Sequence, residues 1–233
     1  MRHLRFLPVV AALTALGLLP LAGCGWADSD RISSDFHATV AHAPANLEVD
    51  NEVGAIEIDA WGEPSIEINA TKRGPSYDVV NAIKITVTSN AHTVTVNTQF
   101  PSGSTNSKVE YTIHAPAAIA LRLTQSVGAI KSTGFTGDVD ERTSTGAIES
   151  TLGALGGTQH VRLEVNVGAI KVSLPASADA AVTASTSVGA IKSDFPLSIT
   201  RTMVGQNAQG KIGGGSAVAD FTVSTGAIAI QRE

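Results

Sequence analysis

Asp138 and Asp140 stand two residues apart, with Val139 between them and Glu141 and Arg142 directly after. On an extended strand that spacing puts both aspartates on one face. A carboxylate pair so placed could bind calcium, or could divide acid and base roles in cleaving a polysaccharide. Calcium would need further oxygen ligands converging nearby, and a lyase would need Lys or Arg beside the pair, where only Arg142 is close in sequence. A solvated strand face with Val139 turned inward fits these residues better. No catalytic residue is assigned, and the chain is read as a non-enzyme. A β-helix polysaccharide lyase or hydrolase is the competing reading.

The other polar candidates are weaker. His37, His42, His92, His114 and His160 follow neither a His-x-His nor a His-x-x-x-His spacing, so no metal site is expected. Gly213-Gly214-Gly215 lacks the Gly-Lys-Ser/Thr pattern and the helix start of a phosphate loop, reads as a turn, and gives no reason to expect a cofactor. Aromatic residues make up 4% of the chain. Trp61 and Tyr77 are the only plausible sugar platforms, Trp61 reads better as a cap over the core, and Tyr111 alternates inward.

Cys24 has the clearest chemistry and is the only cysteine. Arg2, His3 and Arg5 precede an apolar run from Phe6 to Leu21, the charged and greasy regions of a secretory leader. The run is too short for a comfortable membrane span. Leu21-Ala22-Gly23-Cys24 then resembles the bacterial lipobox. That resemblance implies a thioether-linked lipid on Cys24, removal of residues 1–23 and acylation of the new amino terminus, palmitate being the expected chain type. Several acyl chains hold a protein on a bilayer where one is marginal. The expected location is the cell envelope, and Gly25 in place of Asp points to the outer membrane if the cell has two.

Loss of Arg2 and Arg5 with the leader moves the formal charge from -5 to -7, which disfavours a nucleic-acid partner. With one cysteine there can be no internal disulfide, so packing alone must stabilise the remaining chain of about 210 residues, enough for one domain.

These candidates must be positioned by strands. Residues 24–34 are small and polar and read as a flexible tether. Beyond them the chain is rich in Val, Ile and Thr, with turn residues at short intervals, so the class is all-β. Gly-Ala-Ile recurs at Gly54, Gly128, Gly146, Gly168, Gly189 and Gly226, each preceded by Val or Thr and carrying Ile56, Ile130, Ile148, Ile170, Ile191 and Ile228. From Gly128 the spacings are 18, 22, 21 and 37, and Gly210-Lys211-Ile212 supplies a degenerate copy that divides the last. Val165, Val167, Ile170 and Val172 keep one face only if the chain turns a corner at Gly168-Ala169. A corner every ~20 residues predicts a β-solenoid over 117–233, coils stacked at about 4.8 Å, with the isoleucines and Ile212 in one buried ladder. A β-sandwich whose hairpins share a turn motif is the alternative. Lys131, Glu149, Lys171 and Lys192 follow core isoleucines, so stacking would alternate the sign of the first three.

Residues 35–116 are less regular. Ile66-Glu67-Ile68, Ile83–Val87, Val94-Thr95-Val96 and Val109–Ile113 alternate cleanly, with Ser89-Asn90-Ala91-His92 at a hairpin turn. They are expected to form an irregular, antiparallel cap on the first coil, one domain with the rest. At the far end Gln231-Arg232-Glu233 should discourage further stacking.

An early Gly-x-Ile strand, Trp61-Gly62, His114-Ala115-Pro116, repeated Val/Thr-Gly-x-Ile units and a late Gly-Lys-Ile-Gly-Gly-Gly together resemble the bacterial "putative adhesin" domain family over roughly 36–233. The resemblance implies a right-handed, single-stranded parallel β-helix and no settled biochemical activity. Ala at the middle repeat position, where Asp is frequent in that family, makes these corners less polar. The expected function is display of a non-catalytic solenoid from a lipid anchor, for adhesion or a structural role. Partners would be the membrane, through the lipid on Cys24, and a surface protein or polysaccharide; the protein is expected to be a monomer. A regulatory partner in envelope-stress sensing is a further alternative.

Overall fold

The computed structural model describes residues 32–233, so Cys24 and its leader lie outside the described residues. The fold is all-β, one mixed sheet of thirteen strands with a single short helix. Six strands carry the Gly-Ala-Ile copies: β2 (Asn46–Trp61), β7 (Ala120–Phe135), β8 (Val139–Leu152), β9 (His160–Leu174), β10 (Ala180–Ser193) and β13 (Ala217–Arg232). They lie parallel and in register, in the order β2-β7-β8-β9-β13-β10.

Register follows from what each row buries. Ile56, Ile130, Ile148, Ile170, Ile228 and Ile191 form one ladder, none more than 5% exposed. Leu47, Leu121, Val139, Val161, Ala219 and Val182 form another on the far side of the corner. A slip of one residue would turn both ladders outward. The glycine between them admits no other residue: Gly168 has φ 144°, and a Cβ there would lie 1.6 Å from the Gly146 carbonyl oxygen. Close stacking of backbone on backbone, as well as positive φ, therefore requires glycine.

Three expectations need correction. Val127 and Val167 do not join the core but are 49% and 52% exposed. The inward sequence runs Val165 to Ile170, five residues, so the corner takes in Asn166 and Val167 as well as the glycine. Second, consecutive repeats do not all stack in sequence order, because the C-terminal strand β13 enters between β9 and β10. Third, Gly210-Lys211-Ile212 is not a coil. It belongs to β12 (Gln206–Ile212), which pairs antiparallel with β10, Gly210 beside Val182 and Ile212 beside Ala180.

Side-chain volume explains the inserted strand. Along one interior row the residues are Leu163, Phe221, Ala184 and Ala208, so the core narrows toward β12 and the edge strand β11 (Ser198–Arg201). Phe221 fills the wide slot beside Leu163, which Ala184 of β10 would leave empty. Gln231-Arg232-Glu233 consequently ends an internal strand. The outermost position goes to the β11–β12 hairpin, and the Gln206 side chain caps the free Ile191 N–H at 2.8 Å.

At the other end, β5 (Thr93–Gln99) pairs with the first half of β2 and β6 (Lys108–Pro116) with the second, together completing one more row. Antiparallel β4 (Lys84–Ser89), β3 (Ile66–Gly74) and β1 (Ile32–Val40) cover that row. β1 begins inside the stretch read as tether, since Ile32–Ser34 already pair with β3. Asn90 accepts from the His92 and Thr93 N–H groups and closes the β4–β5 hairpin where the turn residues predicted it. Helix α1 (Tyr77–Ala82) is too short to have shown a helical period; Ser76 caps its N-terminus. Among the described residues one continuous hydrophobic core runs through the sheet.

Candidate binding surface

Each parallel strand presents outward residues in columns across the sheet, and one charged column lies in the first half of the strands. Glu48, Arg122, Asp140, Arg162 and Asp220 are successive register partners, so sign alternates from row to row. Asp140 accepts from Arg142 through both carboxylate oxygens at 2.8 Å, and Arg122 lies 3.7 Å away. The Asp140 carboxylate holds the Arg142 guanidinium pKa above its ordinary value. Asp138 accepts the His160 backbone N–H at 2.8 Å.

These groups share a shallow groove of about 350 Å³ whose polar lining is Asp138, Asp140, His160, Arg162 and Asp220. The sequence placed Asp138 and Asp140 on one face; the structure adds His160, Arg162 and Asp220 from two neighbouring strands. That grouping needed the strand order, because Asp220 reaches the groove only through the insertion of β13. Val139 turns inward, 1% exposed, as alternation required.

Glu141 follows the parity of Val139 and is fully buried, 0% exposed, between Leu123 and Leu163. Neither carboxylate oxygen has a hydrogen-bond partner. The nearest hydroxyl chemistry is engaged elsewhere, Ser132 Oγ lying 2.8 Å from Ser150 Oγ. Burial pushes the Glu141 carboxyl up to about 7, opposed by the Ser132 hydroxyl and reinforced by the charge of Asp140. The same Asp-Val-Asp-Glu run that suggested a surface pair thus sends its last carboxylate into the core.

Beyond the corner the outer face is a regular strand surface of small residues. Val53, Val127, Thr145, Val167, Thr225 and Val188 form its first column, with Ala55, Ala129, Ala147, Ala169, Ala227 and Ala190 two residues on. The third column reads Glu57, Lys131, Glu149, Lys171, Ala229 and Lys192. Glu57 pairs with Lys131 and Glu149 with Lys171. The Val204 carbonyl accepts the Gly189 N–H at 2.9 Å, which brings exposed Val204 and Met203 to the end of this apolar strip.

The remaining candidates are structural. Trp61 stacks on His114 with ring centroids 5.4 Å apart and donates to the Ser65 carbonyl, closing its own turn. Tyr111 is buried, its hydroxyl 2.6 Å from Thr98 Oγ1, and burial raises its pKa to about 12. Gly213-Gly214-Gly215 wraps the Asp179 carboxylate, which accepts the Gly215 N–H and the Ser216 hydroxyl. Among the described residues no three His, Cys, Asp or Glu side chains gather as metal ligands.

No family model matches the chain, and no curated protein matches it. Solved structures do. A "putative cell adhesion protein" from Clostridium sporogenes superposes with a TM-score of 0.63 at 15% identity, over 87% of this chain and all of the other. A "putative adhesin" from Bacteroides fragilis is 13% identical over 84% of this chain and 97% of its own, with a TM-score of 0.30. The first establishes a shared all-β fold across nearly the whole of the described residues; the second is too distant in shape to add to it.

Proposed function

We propose that this protein is a lipid-anchored component of the bacterial cell envelope that displays a non-catalytic, right-handed, single-stranded parallel β-helix for adhesion. The observation that carries the reading is the likeness in fold, over 87% of this chain, to the clostridial "putative cell adhesion protein". Chain geometry supports the winding. A strand of 16 residues such as β7 spans roughly 50 Å if straight, yet only Thr136, Gly137 and Asp138 return the chain to the start of β8. Parallel neighbours ordinarily need a crossover of a dozen residues. So short a return requires β7 itself to travel around the core. Cys24 supplies the anchor in this reading.

Cys24→Ser should release the protein from the membrane fraction and abolish incorporation of labelled palmitate, with loss of cell-surface attachment. Lipid labelling of that variant would refute the anchor; unchanged attachment by cells lacking the gene would refute the adhesive role.

A second reading has one observation in its favour. The Asp138–Asp140–His160–Arg162–Asp220 groove combines carboxylates with basic groups from neighbouring coils, which a polysaccharide lyase or hydrolase requires. Against it, Asp140 is already held by Arg142, and Arg162 bonds Glu164 at 3.1 Å. Saccharide turnover lost in Asp138→Asn and Asp140→Asn variants would establish it.

A further inference from the structure

The small-residue face beyond the corner leaves three valines, Val127, Val167 and Val188, about half exposed at 49%, 52% and 49%, where serine or threonine would serve the strand equally well. Aligned apolar side chains on a flat sheet mark a surface that something covers. The glycine column keeps the strip free of bulk, and the alanines beside it add little relief.

The charge column bordering this strip identifies what fits. In stacking order it reads negative, positive, negative, positive, neutral, positive, from Glu57 to Lys192. Consider a second copy laid face to face about a two-fold axis that runs along the strands between β8 and β9. This operation matches each column with itself and reverses the order of rows. Glu149 then meets Lys171 of the second copy, Glu57 meets Lys192, and Lys131 meets Ala229. In the apolar column Val53 meets Val188, Val127 meets Thr225, and Thr145 meets Val167. No like charges face one another in any row. Lys192, without an ion-pair partner among the described residues, gains one. A two-fold axis set instead across the strands, through the charge column, would bring each row onto its own copy and oppose Lys with Lys and Glu with Glu.

From this self-complementarity we infer that the Val/Thr-Gly-Ala face is a homotypic contact, and that its occupant is a second copy of this chain in the row-reversed two-fold arrangement. The partner of the adhesive surface proposed above is then the protein itself, a step that rests on the binding reading but not on the lipid anchor. Six strands at ~4.8 Å and three columns at ~6.8 Å give roughly 600 Å² per copy. That is below the ~800 Å² per partner of a standard stable interface. The contact is weak in dilute solution, and copies confined to facing or shared membranes form it through their raised effective concentration.

Cys24 is the only cysteine of the chain, so in a Cys24→Ser background the register can be read with single thiols. Ala55 and Ala190 lie on the outermost rows, about 24 Å apart across five strand spacings. Ala55→Cys mixed with Ala190→Cys should be joined as a heterodimer by a short bifunctional thiol crosslinker that spans the ~10 Å between facing sheets, while each variant alone stays uncrosslinked. Sedimentation of the Cys24→Ser chain without further substitution should show a concentration-dependent dimer, and Val167→Glu should abolish it at an unchanged melting temperature. A monomer up to about 1 mM would overturn the inference, as would self-crosslinking of either variant alone. Binding to anionic phospholipid vesicles that Val167→Glu removes, without self-association, would assign the face to lipid and overturn it too. None of these failures touches the anchor, which is read by membrane fractionation of the Cys24→Ser variant.

Discussion

Asp220 stands beside Arg162 as a register partner on adjacent parallel strands, although β10 separates their strands in sequence. The residue that β10 would offer in the same row is Thr183, which instead pairs with Asp220 from the other side. Charge and volume thus select the same neighbour for β9: Asp220 answers Arg162 on the outer face, and Phe221 fills the space beside Leu163 within.

Those two residues should contribute very unequally. Phe221→Ala leaves a cavity in the widest part of the core and should cost about 3–5 kcal/mol, whereas Asp220→Ala removes an exposed partner and should cost less than about 1 kcal/mol. Urea unfolding of both variants measures the difference; a larger effect at Asp220 than at Phe221 would mean that charge, not volume, holds β13 in place.

Gly168→Ala should be destabilised by several kcal/mol or fail to fold, since its Cβ would meet the Gly146 carbonyl oxygen at 1.6 Å. Ala169→Ser, on the exposed neighbour, should change stability by less than about 0.5 kcal/mol. Circular dichroism melts distinguish the two.

Ile170→Asp should unfold the domain, because an unpaired carboxylate would enter a site 1% exposed. Val167→Asp, three residues earlier, should fold with a nearly unchanged midpoint. A severe effect at Val167 would restore it to the core and shift the corner.

Glu141 makes stability depend on pH. Its folded pKa of about 7 lies above the ordinary 4.5, so the folded state holds its proton more tightly than the unfolded one. The protonated form's contribution is fully present below about pH 4.5 and is lost as pH rises through 7. The melting temperature should fall between pH 5 and pH 8, with a free-energy change on the order of 3 kcal/mol. Glu141→Gln should flatten that dependence and exceed the unmodified protein in stability at pH 8. A pH-independent unmodified protein would show that Glu141 is solvated or paired in solution.

The repeat was legible because Gly-Ala-Ile marks both the corner and the register, and all six copies stack on one another. Its neighbours were harder to read. Val167 is apolar and precedes the glycine, so alternation seemed to demand a place inside; only the two extra outward residues at the corner reveal otherwise. The order of β9, β13 and β10 was hidden for a related reason: identical tripeptides cannot rank their own neighbours. The distinguishing signals were Asp220 against Thr183 and Phe221 against Ala184, contrasts that acquire meaning once the rows are aligned. Glu141 was within reach of the sequence, since any strand that turns Val139 inward turns Glu141 inward as well. For the groove, parity gave Asp138 and Asp140, but His160, Arg162 and Asp220 come from other strands.

The slot between β9 and β10 also imposes an order in time. A chain made from its amino end presents β10 before β13 exists, so the two strands that flank the gap must wait for β13 to be synthesised. Until it arrives Leu163 has no large neighbour on that side and two strand edges stand open, the condition that invites aggregation or proteolysis. A product truncated before Ala217 should therefore leave the Leu163 side of β9 uncovered and be lost to aggregation or proteolysis more readily than a chain that carries β13.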